Sequence, residues 1–202
     1  MPLALVSDIH GSDDALAAVV AELEQLGIDQ VVCLGDAVQG GDQPREVLDR
    51  LAALGWPVVL GNADAFLLEV PSDSPEPLTQ GHLDKREWTL AQLEPSHLEQ
   101  IRSFVPTLDV EIDDGVTLRA FHGSPHSYDD VLLPDTPDAH VERLLGGSGV
   151  DVLAGGHTHM QWTRYVDGAL FVNPGSVRDD GSYAVVTGGS VEFRKAPSPS
   201  AS

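Results

Sequence analysis

Three short apolar runs in the first sixty residues each stop at a group that can donate a lone pair, and a helical pattern separates each run from the next. Leu3-Ala4-Leu5 leads into Val6-Ser7-Asp8-Ile9-His10-Gly11, the stretch from Gln30 to Leu34 into Gly35-Asp36, and Val58 to Leu60 into Gly61-Asn62. After Ser12 or Asp13, either of which can cap a helix, the apolar positions Leu16, Val19, Val20, Leu23 and Leu26 follow helical spacing up to Gly27. A loop with Gly40 and Gly41 precedes a second helix that has Pro44 in its first turn and Gly55 after its end. Strand, helix, strand, helix, strand is the order of a parallel sheet. Parallel strands end on one edge, and ligands in such sheets bind outside those ends. Asp8, His10, Asp36 and Asn62 are therefore expected together. One residue separates Asp8 from His10, so extended backbone would turn both to the same side. A carboxylate and an imidazole converging on one point is what a metal ion requires.

The later chain adds donors in the same kind of place. Leu108, Val110 and Ile112, then Val116, Leu118 and Ala120, alternate with polar residues about Asp113-Asp114-Gly115, which reads as a β-hairpin ending at Phe121-His122-Gly123. A helix from Thr136-Pro137 to Leu145 precedes a strand, Val150 to Ala154, that runs into Gly155-Gly156-His157-Thr158-His159. A second hairpin pairs Gln161–Val166 with Ala169–Val172, Asn173-Pro174-Gly175-Ser176 reads as a tight turn, and Tyr183–Thr187 and Val191–Arg194 are two last strands. Pro71 to Pro77 reads as a loop and is followed by helical segments near Gly81–Leu93 and Pro95–Val105. Trp88, Leu90, Leu98, Ile101 and Phe104 give these segments apolar faces. The region 66–106 reads as a helical insert, a lid over the site or a peripheral pair of helices, whose apolar face would also suit a homo-oligomer contact. Residues 1–195 read as a single domain, with a disordered tail at 196–202.

Composition narrows the classes. The chain has 202 residues, enough for one domain with a substantial core. A formal net charge of −21 opposes stable binding to nucleic acid or to an anionic membrane. No apolar run reaches the length of a membrane span, and the N-terminus lacks the pattern of a secretory signal. The single cysteine, Cys33, lies in the apolar run Val31–Leu34, reads as a buried small hydrophobe, and fits a reducing, cytoplasmic setting.

The donors at the strand ends are Asp8, His10, Asp36, Asn62, His122, His157 and His159. They exceed the needs of one ion and suit two divalent ions that share a carboxylate. Nitrogen and oxygen donors without thiolate favour Mn or Fe, with Zn, Co and Ni as further candidates, over Ca; Mg prefers an all-oxygen shell.

Asp8-Ile9-His10, Gly35-Asp36, Gly61-Asn62, His122 and Gly156-His157-Thr158-His159 stand in the order of the calcineurin-like metallophosphoesterases, and Asn173-Pro174-Gly175-Ser176 resembles their small bacterial phosphodiesterase branch. The resemblance runs from Leu3 to about Ser176. It implies an α/β fold, a four-layer αββα sandwich of two mixed β-sheets flanked by helices, with the metals at the sheet edge. It implies that Asp8, His10 and His159 hold one metal, that Asn62, His122 and His157 hold the other, and that Asp36 bridges them. Asp36, Asn62 and His122 would then be catalytic, and Asn62 would also donate a hydrogen bond to the phosphate. Two cations about 3.5 Å apart would acidify a bridging water, whose hydroxide attacks phosphorus in line with the leaving oxygen.

One position departs from the pattern. Many members carry a histidine after the Gly-Asn pair, where it protonates the leaving group, and here that residue is Ala63. His126, Tyr128 and His82 are the alternative acids in the sequence, and His126 is also a candidate substrate contact. Without an acid, a leaving group that needs no proton is favoured. That points to phosphodiesters or phosphoanhydrides, including nucleotides and dinucleoside polyphosphates, as small-molecule substrates. Ala37-Val38-Gln39-Gly40-Gly41 follows Asp36 where the phosphoprotein phosphatase branch has Asp-Arg-Gly, which disfavours protein phosphatase activity. A phosphomonoesterase, and a non-catalytic scaffold like the retromer subunit that shares the fold, remain the alternatives.

Overall fold

A computed structural model describes residues 1–71, 78–113 and 115–197. Its strands are β1 (Leu3–Val6), β2 (Gln30–Cys33), β3 (Leu108–Asp113), β4 (Val116–Ala120), β5 (Val152–Ala154), β6 (Gln161–Val166), β7 (Ala169–Pro174), β8 (Ser182–Thr187) and β9 (Ser190–Lys195). Its helices are α1 (Asp13–Leu26), α2 (Pro44–Leu54), α3 (Asn62–Leu68), α4 (Gln80–Gln92), α5 (Pro95–Arg102), α6 (Asp138–Leu145) and α7 (Val177–Asp180). Two sheets form, β2-β1-β8-β9 and β3-β4-β5-β7-β6, each mixing parallel and antiparallel pairs.

Alternation along β1 builds the layers. Leu3 and Leu5 face inward and pack, with Val32, Leu34, Ala184 and Val186, against Leu118, Ala120, Val152, Ala154 and Val172 of the other sheet. Ala4 and Val6 face outward onto Leu16, Val19, Leu23, Val47 and Leu51 of α1 and α2. On the far side, Leu153, Phe171 and Trp162 meet Val141, Leu144 and Leu145 of α6. The result is the four-layer αββα sandwich expected. In the parallel pairs β1–β2 and β4–β5 the strands run toward the same end of the molecule, which is where the candidate site lies.

Several local expectations are corrected. The third strand shrinks to bridges, Cys33 with Val58 and Val59 with Val105. Pro57 has no N–H to extend a ladder, and Gly61 immediately opens a helix. That helix, α3, begins at Asn62 and was not foreseen; the capping pair Gly61 and Asp64 was its legible signal. The second insert helix ends at Arg102, not Val105, because Val105 pairs its N–H with the Val58 carbonyl. The strand expected from Val150 begins at Val152. Asn173 and Pro174 continue β7 rather than forming a turn, and the short helix α7 follows. Leu26, assigned to the apolar stripe of α1, is exposed.

The tail is also ordered further than expected. Ala196 is buried and donates its N–H to the Gly181 carbonyl at 2.9 Å. The rest of that tail beyond Pro197, most of the Pro71–Pro77 loop and Asp114 lie outside the described residues. Within 66–106, Ile101 of α5 and Phe104 just after it join the main core. Helix α4 is mostly exposed, Trp88 included, and Arg86 ties it down by donating to the Phe66 and Leu67 carbonyls at the end of α3. Among the described residues no helix is long and apolar enough to cross a membrane.

Candidate metal centre

The six non-glycine residues with positive φ in the described chain are Asp8, His10, Asp36, His157, His159 and Asp167. All but Asp167 are residues that the sequence marks as metal donors. A left-handed backbone costs a non-glycine residue about 1–3 kcal/mol and persists where surrounding structure enforces it, often at functional sites. The expected reason for convergence of Asp8 and His10 is thereby corrected. They do not sit in extended backbone; each turns left-handed, and the tight loops this creates aim both side chains at one point.

Backbone hydrogen bonds hold those loops together. His10 N–H donates to the Asp36 carbonyl at 2.8 Å, and Asp8 N–H donates to the Gly35 carbonyl at 3.1 Å, so the loops after β1 and β2 are stitched side by side. The second sheet reaches across: His157 N–H donates to Asp8 Oδ2 at 3.1 Å, and Gly156 N–H to the His122 carbonyl at 2.8 Å. Glycine is required where these loops touch. A Cβ on Gly61 would stand 2.9 Å from Asp36 Cγ and nearer still to Asp36 N, and one on Gly156 would stand 3.0 Å from Asp8 Oδ2 and overlap Ser7 Oγ.

Two groups of donors result: Asp8, His10 and His159, and Asp36, His122 and His157, each with ligand atoms within 4.8 Å of one another. Asp36 stands between them. Its Oδ2 lies 3.7 Å from His10 Nε2 on one side and 3.4 Å from His122 Nε2 on the other, while Oδ1 accepts the Ala63 N–H at 2.8 Å. Asn62 reaches the second group, its Oδ1 3.1 Å from His122 Nε2. All seven donors are thus drawn to one place.

The donor chemistry fits cations. Asp8 is fully buried, and its Oδ1 has no hydrogen-bond partner although His159 Nε2 lies at 3.3 Å and His10 Nε2 at 3.7 Å. An orphaned buried carboxylate oxygen facing two imidazoles is costly unless a cation compensates it. Outer partners turn the rings the right way: His10 Nδ1 lies 2.7 Å from the Gln39 carbonyl, His122 Nδ1 2.7 Å from the Leu34 carbonyl, and His159 Nδ1 2.7 Å from Asp179 Oδ2. Each contact leaves Nε2 free to face inward, the usual arrangement around a metal-binding imidazole.

The protein field is strong without any cation. Burial raises the Asp36 carboxyl, but the His122 and His10 charges outweigh it and hold the group well below the usual carboxylate range. Burial opposes charge on His122, yet Asp36 and Asp8 push it up to about 10. The hydrogen bond with Asp8, aided by Asp179, raises His159 to about 9. Burial, with His122 nearby, lowers His157.

Two carboxylates in this arrangement were missed in the sequence. Asp64, fully buried on α3, accepts N–H bonds from Ala37, Val38 and Gly61 at 3.2, 3.0 and 3.4 Å and so fastens the loop after Asp36 to the turn that carries Asn62. Its place three residues after Gly61 was its only sequence signal. Asp179 had none, because α7 itself was not foreseen. The expected alternative acids take no part in the hydrogen bonds among the donors. His82 caps α4, accepting the Thr79 N–H, and His126 lines an open 450 Å³ cleft with Thr107, Asp109, Arg119 and Pro125. Tyr128 is exposed on the loop after His126. Among the described residues no hydrogen bond or ion pair joins any of these side chains to the seven donors.

The calcineurin-like phosphoesterase superfamily domain matches residues 1–194. The chain belongs to this superfamily. The superfamily binds divalent metals, and the two groups of aspartate and histidine are the candidate ligands here. An uncharacterized protein of Methanocaldococcus jannaschii, MJ0912, is 26% identical over 192 residues, covering 94% of this chain and 75% of its own. A hypothetical protein from Pyrococcus horikoshii OT3, PH1004, has the same fold with a TM-score of 0.86 at 20% identity, over 96% of this chain and 87% of that one. A metallophosphoesterase from Sphaerobacter thermophilus follows at a TM-score of 0.75 and 24% identity, over 98% and 89%.

Proposed function

We propose that this protein is a dinuclear metal-dependent phosphoesterase that hydrolyses phosphodiester or phosphoanhydride bonds of small substrates, nucleotides and dinucleoside polyphosphates included. The observation that carries the reading is Asp36 Oδ2, within 3.7 Å of imidazoles from both donor groups. Asp8, His10 and His159 would hold one ion, Asn62, His122 and His157 the second, and Asp36 both. Two divalent ions bound there, Mn or Fe before Zn, Co or Ni, would supply the positive charge that binds a phosphoryl oxygen and the acidity that makes water a nucleophile at neutral pH.

The chain's own residues complete the site. Asn62 sits at the start of α3, half-buried, with its carbonyl oxygen toward His122 and its amide left to donate to a phosphoryl oxygen. Asp36 is kept ionised by the surrounding imidazoles and does not compete for a proton. Ala63 presents a methyl group where an acid would stand, and its N–H is taken by Asp36. Leaving groups that depart without a proton therefore suit the site, which favours diesters and anhydrides over alkyl monoesters. A scaffold would have no use for five strained donor residues, since strain of this kind is stability given up. We read residues 1–195 as one domain acting on small molecules in a reducing compartment, the cytoplasm, consistent with the buried thiol of Cys33.

The test uses metal-stripped protein reloaded with Mn²⁺, assayed on bis(p-nitrophenyl) phosphate and p-nitrophenyl phosphate, with bound Mn counted per chain. The reading requires two ions, preference for the diester, and loss of turnover in Asp36→Asn. Preference for the monoester would replace it with a phosphomonoesterase. Two bound ions with no turnover of either ester, or of a dinucleoside polyphosphate, would refute it.

A further inference from the structure

Among the described residues, Arg178 is the one arginine whose guanidinium has no acceptor. Every other arginine in the sequence donates from its guanidinium to a carboxylate, a carbonyl or an imidazole: Arg45, Arg50, Arg86, Arg102, Arg119, Arg143, Arg164 and Arg194. In a chain of net charge −21 an arginine has carboxylates to choose from, so an unpaired guanidinium is an exception that needs a cause.

Its place supplies one. Arg178 lies on α7, which is fastened to the end of β1: Val177 N–H donates to the Ser7 carbonyl at 3.0 Å, Arg178 N–H to the Asp8 carbonyl at 3.2 Å, and Ser176 Oγ to the same carbonyl at 3.0 Å. The next residue, Asp179, orients His159. The guanidinium extends over Gly40. Its Nη1 lies 2.8 Å from where a Cβ on Gly40 would stand, and His10 Cβ and Nδ1 lie 2.9 and 3.2 Å from that same point. Gly40 has a φ of +143°, and any side chain there would strike both His10 and Arg178. The bare backbone at residue 40 is what lets an exposed guanidinium rest beside the His10 ring.

We propose that Arg178 is a substrate-binding residue that takes an anionic phosphoryl oxygen at the His10 side of the centre. A guanidinium offers paired donors matched to phosphate geometry, and a phosphate would provide the acceptors that the fold withholds. The fixed charge also offsets locally the field of an acidic chain that repels phosphate esters. The proposal rests on the phosphoesterase reading of the same site, and it adds which protein group recognises substrate charge.

The experiment compares Mn²⁺-loaded wild type with Arg178→Gln, Arg178→Lys and, as a control on α6 away from the site, Arg143→Gln. Binding of inorganic phosphate is measured by calorimetry, and KM and kcat on bis(p-nitrophenyl) phosphate in parallel. The expected result is a phosphate affinity and KM both weakened about tenfold or more in Arg178→Gln, part of that recovered in Arg178→Lys, and wild-type values in Arg143→Gln. Bound Mn and the melting temperature of Arg178→Gln should match wild type, which separates lost recognition from a disturbed α7. Phosphate affinity within twofold of wild type in Arg178→Gln overturns the proposal, as does wild-type protein that binds no phosphate. If wild type binds phosphate but turns over no ester, a weakened Arg178→Gln still upholds the recognition role while the catalytic reading fails by itself.

Discussion

On the two-ion reading proposed above, removing the carboxylate of Asp179 should weaken one metal position and spare the other. Asp179 Oδ2 lies 2.7 Å from His159 Nδ1, so the ring donates there and presents Nε2 to the centre. The two other oriented histidines depend on backbone carbonyls, of Gln39 and Leu34, which no side-chain substitution removes. Loss of an outer partner of a metal-binding histidine typically costs 10–100-fold in affinity. The Asp179 side chain is 53% exposed, and solvent already screens its charge, which places the loss at the lower end. About tenfold, or ~1.4 kcal/mol, is expected for Asp179→Ala at the position formed by Asp8, His10 and His159. Asp179→Asn keeps an acceptor but not the charge and should lose less. The assay is Mn²⁺ binding to metal-free protein in competition with a chelator, with the two steps resolved. Equal weakening of both steps, or none at all, would refute the idea that the outer partners are specific to each ring.

Three further outcomes follow from the same geometry. Gly61→Ala leaves an unstrained φ but drives a methyl into the Asp36 backbone and carboxylate, so activity should fall at least a hundredfold while the far-ultraviolet circular dichroism is kept; near-normal turnover would show that Asp36 can move freely. Phe171→Ala empties the space between Phe121 and Trp162, whose ring centroids lie 6.3 and 4.6 Å away, and should cost about 3–5 kcal/mol in urea unfolding. His122 and His159, held at about 10 and about 9, contribute stability that is complete below their unfolded pKa near 6.5 and fades as pH climbs through 9 and 10. Metal-free protein should therefore melt progressively lower between pH 7 and 10, and Mn²⁺ binding at pH 7 should release protons; a flat melting profile with no proton release in calorimetry would contradict those charges.

How much was legible depended on whether a feature was local. Apolar runs with a period of two or a helical repeat marked nearly every long element, because burial on one face leaves that pattern in the residues themselves. The elements that escaped were those set by neighbours. Val58 and Val59 look like a strand, but Pro57 and the turn at Gly61 leave them only bridges. Helix α7 is four residues long, too short to show a period, and it is held by the β1 end rather than by its own composition. Ala196 sits among the small and polar residues of a tail, yet the Gly181 carbonyl captures its N–H.

The sequence alone determined which candidate donors exist, Asp8, His10, Asp36, Asn62, His122, His157 and His159, and that Ala63 rather than a histidine follows Asn62. Residue identity is chemistry, and chemistry is written one position at a time. Only the tertiary structure decided how the donors are held. Left-handed turns at Asp8, His10, Asp36, His157 and His159 are unfavourable in isolation and exist because the two sheets lock their loops against each other. The same packing placed Asp64 under the loop after Asp36, Asp179 behind His159 and Arg178 beside His10. Asp8 and Arg178 are 170 positions apart, and no spacing rule connects them; they meet because α7 returns to the end of β1.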